Sequence, residues 1–219
     1  MKVNAIKSAS NTLLKRVRAL HHRSHRDKLG QFILEGPKLV EEAFDKELDV
    51  KEVILSHSYW QDGIDRRLEE RLTDINDVYV VEDKLFADLV TTATPCGVLA
   101  LASKPRYKLS DCLKGDNTLL VIGEALQDPG NLGTIVRNCL AFGATGLVLT
   151  RGTVDPYNTK VVRSAMGALF GIPIVTDWEI GELLGELKEK QVKTVVLDAG
   201  APRAIWQISM MGPVAFIFG

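Results

Sequence analysis

Apolar side chains alternate along this chain between short continuous runs and helical spacings. Residues 11–28 carry apolar positions at helical intervals, which predicts a helix. The stretch that follows, up to residue 104, alternates strand and helix patterns and predicts a compact α/β sandwich. Its predicted strands are 31–34, 53–55, 78–81 and 97–102, and its predicted helices are 37–44, 64–72 and 84–90.

The second half of the chain reads as a parallel sheet. Strand-like runs separated by helix-length segments indicate crossover connections, which join parallel strands. The runs 195–197 and 215–218 are continuously apolar, as expected for strands covered on both faces. The fold class is therefore α/β, a small α/β sandwich followed by a parallel-sheet domain. The predicted strands are 118–122, 146–150, 172–175, 193–197 and 213–218, and the predicted helices are 132–142, 158–169 and 179–190.

Composition narrows the class of protein. At 219 residues with 46% hydrophobic and 25% charged residues, the chain has the profile of a soluble protein of two small domains. Its apolar runs fall short of the roughly 20 residues of a membrane span, and its basic start has no apolar signal region. The three cysteines lack metal-ligand spacing. We therefore expect a cytoplasmic protein with reduced thiols, no membrane association and no metal.

Charge is distributed unevenly. The net charge is −1, yet residues 1–28 hold eight Lys or Arg against one acid, so this segment is +7 and the rest is −8. Such a block suits a polyanion, because lysine and arginine displace counterions from phosphates. The alternative is a solvated helix face with a disordered start. The basic residues that we predict to contact the phosphates of such a polyanion are Arg16, Arg18, Arg23, Arg26 and Lys28.

The segment Gln127–Asn138 is the strongest candidate for chemistry. It follows an apolar strand and opens an amphipathic helix, with Pro129-Gly130 as a turn and Asn131 as the predicted N-cap. Arg137 lies in that helix, at a strand–loop–helix junction of the kind where open parallel sheets bind ligands. The segment lacks the Lys-Ser/Thr of a P-loop and the triple glycine of a dinucleotide fold, which disfavours a dehydrogenase-type enzyme.

These residues carry a family resemblance. Asn131-x-Gly133-x-x-x-Arg137-Asn138 with a following Gly-Ala-x-Gly resembles the first signature motif of the SpoU (TrmH-like, SPOUT class) RNA ribose 2′-O-methyltransferases. The resemblance implies methyl transfer from S-adenosylmethionine to a ribose 2′-OH of RNA. It favours ribosomal RNA over tRNA as the substrate, and it implies that the enzyme is a homodimer. The other matching segments are Phe32-x-x-Glu35-Gly36, Thr94-Pro-x-Gly-Val98, Asp155-Pro156, Lys160-x-x-Arg163-Ser164-x-x-Gly167-Ala168, Ile172-Pro173-Ile174 and Ala215–Gly219.

The resemblance also implies a division of the chain and an expectation about its end. In the family, the glycine matched by Gly219 precedes an acidic residue, more glycine and a third motif, which forms a trefoil knot and holds the cofactor. The sequence ends at Gly219, so we expect an incomplete cofactor pocket, exposed apolar surface near residues 214–218, feeble cofactor binding and no transferase activity of these residues alone. The alternative function is an inactive RNA-binding relative. The predicted parts are a basic helix or arm at 1–28, an RNA substrate-binding domain at 29–104, a linker at 105–115 and a truncated SPOUT domain at 116–219.

Arg137 matches the family's catalytic arginine. A guanidinium is nearly always protonated, so we expect it to contact the adjacent phosphate and to lower the pKa of the 2′-hydroxyl electrostatically. The alternative is an exposed helix arginine in an ion pair. Asn131 matches a residue that contacts the substrate or braces Arg137. The equally favoured alternative is that Asn131 only caps the helix. Glu124 either pairs with Arg137 or simply ends the strand.

The remaining predicted site residues fall into two groups. The first lies at strand ends, where the family's backbone holds the adenosine of S-adenosylmethionine: Leu197, Asp198 and Gly219. For Leu197, core packing is the alternative. The second lies on a predicted helix and is expected to grip RNA phosphates, a solvated charged face being the alternative: Lys160, Arg163 and Ser164.

Overall fold

The structure is a computed structural model that describes residues 3–73, 75 and 77–219. Lys2 of the predicted basic segment lies outside the described residues. The chain forms two compact units. The first consists of the residues up to Pro105 together with Tyr157–Phe170, and the second of Arg106–Pro156 and Gly171–Gly219. The stretch 157–170 thus packs in the first unit, although it lies inside the range predicted for the SPOUT domain.

The elements are numbered in chain order. The strands are β1 (Val3–Ile6), β2 (Gln31–Glu35), β3 (Val50–Ser56), β4 (Val78–Val81), β5 (Val98–Ser103), β6 (Leu119–Gly123), β7 (Gly146–Thr150), β8 (Ile174–Trp178), β9 (Lys193–Val196) and β10 (Val214–Phe218). The helices are α1 (Thr12–Ala19), α2 (Arg23–Leu29), α3 (Pro37–Asp45), α4 (His57–Asp62), α5 (Arg66–Leu72), α6 (Asp83–Ala87), α7 (Leu109–Cys112), α8 (Pro129–Ala141), α9 (Thr159–Ser164) and α10 (Ile180–Glu189).

The first unit is built on a mixed sheet with the order β1-β4-β3-β5-β2. β1, β4 and β3 run parallel, whereas β5 is antiparallel to both β3 and β2. β1 lies in the segment predicted to be a helix or arm, and it adds an edge strand to the sheet. The patterns at β2 to β5 correctly predicted the strands, while the short α4 was not predicted.

The predicted helix at 11–28 is interrupted. α1 ends at Ala19 and α2 begins at Arg23. The guanidinium of Arg26 donates hydrogen bonds to the carbonyl oxygens of Leu20 at 2.8 Å and His21 at 2.9 Å. Carbonyl groups at a helix end lack intrahelical partners, and a planar guanidinium supplies several donors at once. The interaction therefore stabilises the break, which the apolar spacing did not reveal.

The second unit is built on a parallel sheet with the order β8-β7-β6-β10-β9, which confirms the predicted sheet. β10 is central, and Val214, Ala215 and Ile217 are buried between its neighbouring strands and the layers beside them. The expected exposed apolar surface near residues 214–218 was therefore wrong. The phenylalanines of β10 remain half-buried. The prediction that both faces are covered at 195–197 was wrong: Val195 is buried but Val196 is 66% exposed, so only one face of the edge strand β9 is covered.

The predicted linker at 105–115 contains structure. α7 lies in it, and Leu109 and Cys112 are buried in the core of the second unit. The Cys112 side chain packs against the start of β7, where a Cβ on Gly146 would approach its sulfur to 2.4 Å. Glycine is thus required at the start of β7 for α7 to pack there. In the described part of the chain, no helix is long and apolar enough to cross a membrane.

Candidate active site

The loop after β6 is held at the carboxyl edge of the parallel sheet. The amide of Glu124 donates to the carbonyl of Phe218 at 2.7 Å, which fastens the loop to β10. The amide of Ala125 donates to Oγ1 of Thr150 at 3.0 Å, which fastens it to the end of β7. Because both neighbouring strands hold this short segment, its position relative to the sheet is fixed before any ligand binds.

A second set of bonds ties the same loop to the turn after β7. The side-chain amide of Gln127 donates to the carbonyl oxygens of Ala125 at 3.1 Å and Gly152 at 2.6 Å. The amide of Val154 donates to the carbonyl of Leu126 at 2.8 Å. Ala125 has a φ of 46°, a left-handed conformation that costs a non-glycine residue about 1 kcal/mol. These bonds offset that strain and keep the loop in one shape.

The N-cap of α8 lies three residues before the predicted one. Asp128 is the N-cap, and its carboxylate accepts a hydrogen bond from the amide of Asn131 at 2.7 Å. The predicted N-cap role of Asn131 was therefore wrong. Pro129 occupies the first helical position, which suits proline because its missing amide hydrogen needs no partner there. The Asn131 side chain is exposed in the first turn of the helix.

Arg137 lies on the solvent side of α8. The opposite side of the helix is anchored by buried side chains, among them Leu132 and Val136. Among the described residues the Arg137 guanidinium has no hydrogen bond or ion pair, and Glu124 does not reach it. Cys139 lies on the buried side, where burial raises the pKa of its thiol to about 12. α8 thus presents Arg137 at the surface with no partner for its charge in the described part of the chain.

A cleft of about 520 Å³ lies at the carboxyl end of β9. Leu197 and Asp198, two of the predicted cofactor residues, line it. The amide of Leu197 donates to the carbonyl of Ile217 at 3.0 Å, so β10 fixes the floor of the cleft. Gly219, the third, does not line this cleft: a Cβ placed on it would lie 3.5 Å from the carbonyl oxygen of Glu124. It adjoins the loop that precedes α8.

The predicted basic residues of the first unit differ in how far their side chains are available to contact RNA. Arg26 is 2% exposed and its guanidinium binds backbone carbonyls, so the prediction that it contacts RNA is corrected. Arg16 forms a partly buried ion pair with Glu52. Arg18 donates to the carbonyl of Ala9 at 3.0 Å. Arg23, 3.5 Å from Asp27, and Lys28 remain at the surface.

Helix α9 carries the other predicted RNA residues, in the first unit. Lys160 is exposed. Arg163 lies 3.7 Å from a carboxylate oxygen of Glu35 and 3.5 Å from the hydroxyl of Thr91. The hydroxyl of Ser164 donates to the carbonyl of Val161 at 3.0 Å, within the helix. The structure therefore brings Arg163 to Glu35 of the Glu-Gly motif, a pairing that sequence separation concealed.

The residues that keep the catalytic loop in position were not predicted from the sequence. Thr150, Gln127 and Asp128 fix the loop and the start of α8. Their position at strand and helix ends was a usable signal, because such ends carry the unpaired backbone groups that side chains satisfy. Within the described residues, no group of three His, Cys, Asp or Glu side chains could hold a metal ion.

A parallel sheet with a fixed strand–helix loop and a cleft at the same edge defines an α/β protein of the class that binds ligands at that edge. Residues 118–219 match the SpoU rRNA Methylase family and residues 11–100 match the MRM3-like substrate binding domain. Over 90% of its length the chain is 35% identical to the 23S rRNA (guanosine(2553)-2′-O)-methyltransferase RlmP of Bacillus subtilis, of which it covers 75%.

Solved structures agree with the sequence relatives. An rRNA methyltransferase from Sinorhizobium meliloti superposes with a TM-score of 0.85 at 27% identity, over 100% of this chain and 82% of that one. An AdoMet-bound structure from the same organism superposes with a TM-score of 0.82 at 26% identity, over 99% and 81% of the two chains. The chain belongs to the SpoU rRNA methylase family. The predicted class, an S-adenosylmethionine-dependent RNA methyltransferase, is confirmed.

Proposed function

We propose that this enzyme methylates a ribose 2′-hydroxyl of ribosomal RNA, with Arg137 as the catalytic residue. The observation that carries the proposal is the placement of Arg137. Its exposed guanidinium has no partner among the described residues, and it lies on α8, the helix that follows a loop fixed at the carboxyl edge of the sheet. A cation without a protein partner is suited to an anionic ligand, and RNA supplies a phosphate beside each ribose hydroxyl.

The proposed role of Arg137 is electrostatic. A ribose hydroxyl is a weak nucleophile because its pKa lies far above neutral pH. A guanidinium that contacts the neighbouring phosphate stabilises the oxyanion that develops as the proton leaves. Asn131 is exposed on α8 between Arg137 and the loop, and it is proposed to contact the same nucleotide.

The cleft at the end of β9 has the chemistry that S-adenosylmethionine requires. Ile205 and Trp206 offer apolar surface for an adenine ring, and the Asp198 carboxylate can accept hydrogen bonds from ribose hydroxyls. The bound cofactor supplies a methyl group on a sulfonium, which is open to attack by oxygen. We propose Leu197 and Asp198 as cofactor contacts, and Gly219 as the residue that joins the cleft edge to the catalytic loop.

The remaining proposals concern assembly and location. Large apolar side chains exposed on the second unit, among them Phe142 and Met211, support a homodimer, since exposed apolar surface often marks a protein interface. Light scattering of the purified full-length protein tests this: a monomer at micromolar concentration would contradict it. The free thiols of Cys96, Cys112 and Cys139 support a cytoplasmic location.

Transfer of a labelled methyl group to ribosomal RNA by the full-length protein tests the function. Nuclease digestion and mass spectrometry should identify a 2′-O-methylated nucleoside. Arg137→Ala should reduce single-turnover transfer by about 10²–10³-fold and leave cofactor affinity within about twofold, because the lost interaction is made in the transition state.

Lys188→Ala is the matched control, because it removes one exposed positive charge from α10 of the same unit. This variant should retain the wild-type rate. Transfer by Arg137→Ala within threefold of wild type would exclude the catalytic role. Base methylation in place of ribose methylation would refute the proposed reaction.

A further inference from the structure

A groove of about 450 Å³ lies in the first unit, between the β2–α3 connection and α9. Pro37, Leu39 and Met166 give it apolar walls, and Glu35 and Arg163 supply polar groups. Met166 has a φ of 49° and an exposed side chain. A flexible thioether in this position can lie against the edge or face of an aromatic ring.

The carboxylate of Glu35 has bonding capacity to spare. Its side chain is only 7% exposed. One oxygen accepts from the hydroxyl of Thr92, and the other is 3.7 Å from the Arg163 guanidinium, beyond hydrogen-bond distance. An ionised carboxylate offers about four acceptor positions, and burying one that is incompletely bonded is costly. A ligand that brings two N–H donors to this carboxylate would offset that cost.

The charges of the groove disfavour a phosphate as the ligand. Two carboxylates, Glu35 and Glu42, balance two cations, Lys38 and Arg163. A neutral ligand with a flat apolar face and adjacent donors is the better match. Among the RNA bases, guanine alone presents two adjacent donors, N1–H and the N2 amine, on its Watson–Crick edge, and unpaired bases are read in this way.

We propose that this groove binds an unpaired guanine of the RNA substrate, with the Glu35 carboxylate accepting from its N1–H and N2 amine. The start of α3 forms one wall, and its N-cap Gly36 makes no side-chain cap. Pro37 has no amide hydrogen, so the donors proposed for the guanine O6 are the amides of Lys38 and Leu39. Arg163 and Lys38 then contact the flanking phosphates. This inference rests on the proposed function, because it specifies how that enzyme selects its RNA.

The test compares fluorescein-labelled 12-mers of uridine that carry one central guanosine, inosine, adenosine or uridine. Binding to the full-length protein is measured by fluorescence anisotropy. Guanosine should bind about tenfold tighter than adenosine, as expected for a bidentate contact, and inosine, which lacks the N2 amine, should fall between them. Glu35→Gln should bring guanosine to within twofold of adenosine, because an amide offers one acceptor and opposes the amine with its own donors.

Glu47→Gln, an exposed glutamate after α3, is the control and should keep the guanosine preference. Equal affinities for the four RNAs with the wild-type protein would overturn the inference without any variant, so a misfolded Glu35→Gln protein cannot obscure the answer. An unchanged guanosine preference in a folded Glu35→Gln protein would also overturn it. A failure of the proposed function gives a different result: the protein would still prefer guanosine but would not methylate ribosomal RNA.

Discussion

Replacing Thr150 by valine tests whether the catalytic loop must be held in place. Thr150 is 5% exposed, and its hydroxyl accepts from the Ala125 amide at 3.0 Å. Valine keeps the shape of the side chain but removes the acceptor. A partly buried amide then loses its partner, while the left-handed conformation of Ala125 loses one of the contacts that maintain it.

The magnitude follows from these contacts. Leaving a backbone amide unpaired costs about 1–3 kcal/mol when it is buried, and because Ala125 is exposed the cost lies in the lower part of that range, about 1–2 kcal/mol. For a chain of this size that corresponds to a fall in Tm of about 2–8 °C. Relaxation of the loop by about 1 Å would also displace the start of α8 and reduce methyl transfer by about 10–100-fold.

Calorimetry and single-turnover methyl transfer measure the two effects. Thr153→Val is the matched control, because Thr153 is equally buried but its hydroxyl only donates to the carbonyl of Gly123 at 3.4 Å. It should cost about 0.5 kcal/mol and leave transfer within twofold. The reasoning would be refuted if Thr150→Val matched Thr153→Val in both stability and rate.

Three further predictions concern thiols, the helix cap and RNA. In the native protein Cys96 should react with a thiol reagent at pH 8 while Cys139 stays protected, because burial raises the pKa of the latter to about 12; equal labelling of both would contradict this. Asp128→Ala should cost about 1 kcal/mol in urea unfolding and Asn131→Ala less than half of that, since only the former caps α8; the reverse order would restore Asn131 as the cap. Lys28→Gln should lower the slope of log affinity for RNA against log salt by about 0.7–0.9, and an unchanged slope would exclude a phosphate contact.

Most strands of the two sheets were predictable from the sequence, because short apolar runs bounded by turns report burial directly; β1 is the exception. The loop after β6 and the helix that carries Arg137 were predictable too, since that segment combines a strand end, a turn and a helix start. The burial of β10 also followed from its apolar run, whereas its central position depends on which strands pair with it.

Tertiary structure decided what depends on partners distant in the chain. β9 has a similar apolar run but lies at the edge of its sheet, which no local pattern specifies. The sequence predicts Arg26 as a surface charge, whereas in the folded chain its guanidinium donates hydrogen bonds to the carbonyl oxygens that follow α1. Glu35 and Arg163 meet across more than a hundred residues, in a unit that also recruits Tyr157–Phe170. Local sequence encodes propensity and burial, whereas edge position and charge pairing arise only when separate segments pack together.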